Sequence, residues 1–189
     1  MALIPTPSQT VGPYLYLGLN WLRTETLEGD GVEGKRIALT GRLLDGNGQP
    51  VPDGVLEIWQ ADGAGNYGHP EDRRRRTSEA GFTGFGRIPT APDGSFRFTT
   101  IKPGPVPGPG NRWQAPHILV AIFMRGILKQ LWTRIYFADE AANAEDPVLA
   151  LIPDPSRRET LIATRQGAAA EYRFDIHLQG ERETVFFDL

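Results

Sequence analysis

Cysteine is absent from this chain, and histidine is scarce, with three in 189 residues. The first absence excludes disulfide frameworks and thiolate metal sites, and it is compatible with a reducing cytoplasm. The three histidines, His69, His117 and His177, are scattered and offer no metal pair at helical spacing. No serine stands in a nucleophile elbow. An excess of one charge is lacking too. The formal net charge is −3 and the pI about 5.6, which gives no electrostatic reason to expect nucleic acid or an anionic membrane as partner. No apolar run approaches the roughly 20 residues that span a bilayer. Residues 1–20 lack the cationic start and apolar core of a secretory leader, so a cytoplasmic protein is expected.

What is present is an apolar fraction of 40% with 22 glycines and 16 prolines, together just over a fifth of the residues. That combination points to one all-β domain with long ordered loops. The organising stretch is 99–125. Pro103, Pro105, Pro107 and Pro109 fix φ in its loop, while Gly104, Gly108 and Gly110 allow tight reversals. The loop runs into His117–Phe123, which reads as a strand covered on both faces. Residues 36–45, 54–62, 95–101, 131–138, 172–179 and 184–187 read as further strands, and Asp45-Gly46-Asn47-Gly48 and Pro92-Asp93-Gly94 as turns. Residues 139–151 read as a short helix interrupted near Pro147, and 158–165 is ambiguous. The region 63–87 is a long irregular excursion holding Tyr67, His69, the run Arg73–Arg76 and GFTGFG at 81–86. The arginine run reads as a solvated loop or as a partner for another subunit's carboxylates. The last motif lacks the spacing and strand–turn–helix setting of a dinucleotide fingerprint. Residues 1–20, with Pro5, Pro7 and Pro13, read as an extended arm lying on its own domain or on a partner subunit.

Several long segments resemble the intradiol ring-cleaving dioxygenases: 41–67 (GRLLDGNGQPVPDGVLEIWQADGAGNY), GFTGFGR at 81–87, DGSFRFTTIKPG at 93–104, and Trp113 with His117 at the start of the central strand. TPSQTVGPY at 6–14, TRIYF at 133–137 and the ending ETVFFDL narrow the resemblance to the alpha-type subunits of that family. The resemblance implies a single antiparallel β-sandwich domain over residues 1–189, with 1–20 as its arm and a short helical segment. It also implies a ferric ion, which iron-bearing members hold with two tyrosines and two histidines. Phenolate oxygens suit a hard ferric cation, and two histidines two residues apart on a strand share a face, about 7 Å apart.

Carried over position by position, Tyr67 matches the first tyrosine and His117 the first histidine. The second tyrosine falls on Val106, the second histidine on Leu119, and an arginine on Gln114. Two ligands of four are missing, so the resemblance implies a degenerate pocket, with Fe(III) bound by an iron-bearing beta subunit in a hetero-oligomer of alpha/beta protomers. The implied reaction is the cleavage of 3,4-dihydroxybenzoate (protocatechuate) by O2 between its hydroxyl-bearing carbons, giving 3-carboxymuconate. This chain would line the substrate pocket in trans through Thr10, Gly12, Pro13 and Arg134, Arg134 either meeting a carboxylate of the substrate or pairing with a local acid. Two other readings stand beside it: a self-sufficient dioxygenase using Tyr67, His117 and His69, and an inert sandwich serving assembly or binding.

Overall fold

Alternation of apolar and polar residues dictates the strands. In β1 (Arg36–Leu44) Ile37, Leu39 and Leu43 turn inward, and in β2 (Val55–Gln60) Leu56 and Ile58 do so. A computed structural model describes residues 18, 20–29, 31–72, 82–167 and 169–188. The arm with Thr10, Gly12 and Pro13, and the run Arg73–Arg76, lie outside the described residues. Chain order continues through β3 (Phe85–Pro89), β4 (Ser95–Ile101), the two-residue strands β5 (Val106–Pro107) and β6 (Trp113–Gln114), β7 (His117–Phe123) and β8 (Leu131–Phe137). A short helix α1 (Pro155–Glu159) precedes β9 (Ile162–Arg165), β10 (Glu171–Arg173) and β11 (Ile176–His177). Among the described residues no helix is long and apolar enough to cross a membrane.

Nine strands form one sheet, in the order β11-β1-β10-β9-β8-β7-β2-β3, with β4 on the other side of β1. The all-β expectation holds. Most ladders are antiparallel, but β1 pairs in parallel with β10 and β11, and β8 with β9. The sheet folds on itself at β9. One core cluster therefore joins Leu39, Phe96, Phe98 and Tyr172 of one layer to Leu56, Ile58, Val120, Ile122 and Ile135 of the other. Buried Gln60 ties the layers together, its amide donating to the Ile101 carbonyl (2.8 Å) and accepting from the Thr100 hydroxyl (2.9 Å). The open side is closed by residues 24–27. Thr24 N–H donates to the Arg87 carbonyl on β3 (3.0 Å), and Leu27 N–H to the Thr99 carbonyl on β4 (2.9 Å).

Four expectations change in detail. Residues 172–179, read as one strand, yield the short strands β10 and β11 with Phe174 and Asp175 between them. Residues 139–151 form two 3-10 turns, Ala141–Glu145 and Leu149–Leu151, because Asp146-Pro147 interrupts them. Residues 184–187 contribute only a bridge between Phe187 and Trp132. The excursion from 63 ends earlier than its glycines suggest, since Phe85 already begins β3 opposite Trp59.

Gly41 lies where β1 passes from β10 to β11. A Cβ there would stand 1.8 Å from the Phe174 carbonyl oxygen and 2.6 Å from the Phe96 ring, so backbone would have to move. Gly41→Ala is expected to lower stability by about 1–3 kcal/mol, the usual cost of overpacking. A denaturant midpoint equal to wild type would contradict this packing.

Candidate functional site

Register places the candidate residues on one face of the sheet. Trp59 of β2 stands opposite Leu119 of β7, and Leu119 opposite Arg134 of β8; two residues along, His117 stands opposite Tyr136. With a side-chain period of two, His117, Leu119, Arg134 and Tyr136 share that face, while Ile118, Val120, Thr133 and Ile135 point the other way. Tyr67 stacks on Trp59 at the margin of this face, ring centroids 5.9 Å apart and ring planes nearly parallel.

The β5–β6 hairpin meets this face. Its turn is tight: Gly110 and Asn111 both adopt positive φ (65° and 59°), a conformation open to glycine and tolerated by asparagine. Val106 pairs with Gln114 across the hairpin. The Gln114 amide donates to the Pro107 carbonyl (2.9 Å), and its oxygen accepts from Arg134 Nη1 (2.6 Å). Arg134 Nη1 also approaches the Tyr136 hydroxyl (3.3 Å), and the guanidinium lies 5.8 Å from the Phe187 ring centre. Two of the signature segments, 133–137 and 183–189, thus meet at Arg134. Among the described residues it has no acidic partner, so the local ion pair considered from the sequence does not form. Its Nε and Nη2 make no hydrogen bond there.

Behind this array lies Asp146, 1% exposed. Its carboxylate accepts from Ala115 N–H (2.7 Å), from Val148 and Leu149 N–H (both 2.8 Å) and from the Tyr136 hydroxyl (3.2 Å). Burial, with Asp146 adding to it against the pull of Arg134, pushes the Tyr136 phenol well above its ordinary value, so it stays protonated and donates. His117 is buried as well. Its Nδ1 lies 2.7 Å from the Ala115 carbonyl, which can only accept, so Nδ1 carries the proton. Burial first and the Arg134 guanidinium second pull the imidazole down to about 4, so it is neutral at pH 7.

Of the positions taken from the sequence, Val106, Gln114, His117, Leu119 and Arg134 are brought together. Tyr67 stands apart, in an open recess of about 520 Å³ with Trp59, His69, Glu71 and Asp72. Ferric iron does not fit this face. Buried Val106 and half-buried Leu119 have no donor atoms, and Tyr67 belongs to the neighbouring recess. Among the described residues no three His, Asp or Glu side chains converge as a metal site. A larger groove of about 560 Å³, lined by Arg23, Arg42, Arg97 and Arg173 among others, shares no residue with this face. Sequence reasoning missed Asp146, Tyr136 and Phe187. Only Asp146 carried a local signal: an aspartate two residues before free N–H groups is a capping pattern.

The sign of the His117 shift fixes a pH window. The folded value lies below the unfolded value of about 6.5, so the stability linked to neutral His117 is complete above pH 6.5 and is lost as pH falls towards 4. The loss should be about 2–4 kcal/mol. Denaturant titrations from pH 7.5 to 4 should show a shallower decline for His117→Gln than for wild type. Parallel curves would remove this role.

Comparisons with known proteins identify relatives over nearly the whole chain. The family model described as Dioxygenase matches residues 12–180. The chain is 45% identical to the protocatechuate 3,4-dioxygenase alpha chain of Burkholderia cepacia, covering 97% of both chains. It is 47% identical to that of Pseudomonas putida, covering 98% of both. The protocatechuate 3,4-dioxygenase beta chain of Burkholderia cepacia is 38% identical, over 80% of this chain and 67% of its own length. Among solved structures, an intradiol ring-cleavage dioxygenase from Tetranychus urticae shares the fold with a TM-score of 0.65, covering 96% of this chain and 98% of its own at 19% identity. Similarity to these alpha chains thus extends over nearly the full length of the chain. The chain belongs to the intradiol dioxygenase family, in the branch of the protocatechuate 3,4-dioxygenase alpha chains.

Proposed function

We propose that this chain is the iron-free partner in a hetero-oligomeric dioxygenase that opens the ring of protocatechuate with O2. Fe(III) is held by a beta subunit, and this chain binds and orients. The observation that carries the reading is the pair Leu119 and Arg134. Leucine stands where a second histidine would ligate iron, and the residue opposite it is an arginine with an unused Nε–Nη2 edge. That edge matches a carboxylate in bidentate fashion, and the substrate is a benzoate. Neutral His117 beside it adds no second positive charge at pH 7. The resemblance assigns Thr10, Gly12 and Pro13 of the arm to the same substrate pocket, and their chemistry suits that role: glycine admits close backbone approach and proline fixes φ. A cysteine-free chain of this kind suits a reducing cytoplasm.

The chemistry of ring opening is the partner's, and no step runs through this chain's own side chains. A self-sufficient enzyme using Tyr67, His117 and His69 would need donors in one place. Here His69 packs edge-on against Trp59, whereas His117 packs against Tyr136.

Two outcomes test the reading. Iron analysis should find stoichiometric ferric ion in the co-expressed complex and none held by this chain purified alone. Steady-state kinetics of the complex should show Arg134→Ala raising KM for protocatechuate by about tenfold to a hundredfold, the range for a lost charge-assisted pair, with assembly retained. Iron and turnover in the solitary chain, or an unchanged KM, would overturn it.

A further inference from the structure

Gln114 stands where the family resemblance leads one to expect arginine, and nothing in the proposed reaction uses it. Its surroundings are nevertheless fully specified. The side-chain amide is fixed in orientation, because Nε2 donates to the Pro107 carbonyl and Oε1 must then face outward. That oxygen accepts from Arg134 Nη1 at 2.6 Å, the shorter of the two hydrogen bonds made by the guanidinium. The backbone of Gln114 is fixed as well, paired with Val106 across the hairpin and followed by Ala115, whose N–H is held by Asp146. A neutral acceptor here has a specific consequence. A carboxylate would neutralise Arg134, an arginine would repel it, and an aliphatic side chain would leave its long side chain free to rotate. Glutamine orients the cation and leaves its charge intact.

We infer that Gln114 is a positioning residue: it holds Nη1 of Arg134 so that the Nε–Nη2 edge is presented to the carboxylate of protocatechuate. This inference rests on the function proposed above. It also gives a task to the hairpin that replaces the second tyrosine site, since Val106 and Gln114 are cross-strand partners.

The test is a double-mutant cycle on the complex of this chain with its iron-bearing partner, comparing wild type, Gln114→Met, Arg134→Ala and the double variant. Gln114→Met should raise KM for protocatechuate about fivefold to tenfold, as expected for one hydrogen bond to a charged group, with kcat changed less than about twofold. The inhibition constant of 4-methylcatechol, which has no carboxylate, should not move. The double variant should match Arg134→Ala alone, because residues acting through one contact are not additive. If Arg134→Ala raises KM and Gln114→Met does not, the inference falls and the role of Arg134 stands. The inference falls equally if Gln114→Met costs the same factor with and without Arg134, which would mark a purely structural role. If neither substitution changes KM, the role of Arg134 falls and this inference with it. Gln114→Asn, which keeps an amide but shortens it, repeats the comparison should the methionine variant fail to assemble.

Discussion

The carboxylate of Asp146 is the constraint on which the site depends. It is out of water and takes four donors from three separate segments: the Ala115 N–H just before the central strand, two N–H groups of the turn after Pro147, and the Tyr136 phenol of β8. A buried carboxylate is costly unless it is fully hydrogen-bonded, so these segments have one arrangement in which all four donors are satisfied. That arrangement fixes the start of β7, and with it the direction in which His117 and the Gln114 hairpin face. Arg134 then inherits its position through Tyr136 and Gln114. The fold delivers a cation to one point on the sheet surface, and a single anion behind it does most of the fixing.

On the same face, strand period and register decide which side chains meet. Period two places positions 117 and 119 side by side, and the register sets Trp59, Leu119 and Arg134 in a row across three strands. Val106 and Leu119 offer no donor atom to a hard trivalent cation. They leave a rigid platform on which one positive side chain is held by neutral partners. Burial keeps His117 neutral at pH 7, so among these four face residues the positive charge comes from Arg134, with the Asp146 carboxylate behind it.

Much of this was legible in the sequence, for identifiable reasons. Strands β1, β2, β4, β7 and β8 show alternation or continuous apolar character over at least six residues, and each appears within a residue or two of its expected bounds. That positions 106 and 119 offer no metal donor could be read because valine and leucine have none wherever they stand. What could not be read was non-local. Nothing in residues 141–147 announces that Asp146 will meet Ala115 and Tyr136, since that contact depends on tertiary approach across 31 and 10 residues. Residues 139–151 looked helical because alanines and acids favour helix starts, yet Asp146-Pro147 breaks the run, and the Asp146 carboxylate accepts from the N–H groups that open a second 3-10 turn. The parallel pairing of β1 with β10 and β11 was equally invisible, because register between segments more than 130 residues apart leaves no local pattern.

The short passage 24–27 has a consequence beyond closing the fold. β3, at one end of the sheet, and β4, paired only with β1, would each present a raw row of amide and carbonyl groups, the kind of border on which foreign strands add and aggregates grow. By crossing from one to the other, residues 24–27 blunt both borders with a few hydrogen bonds. A subunit built to assemble through chosen surfaces is thereby shielded from sticking to its copies through unchosen ones.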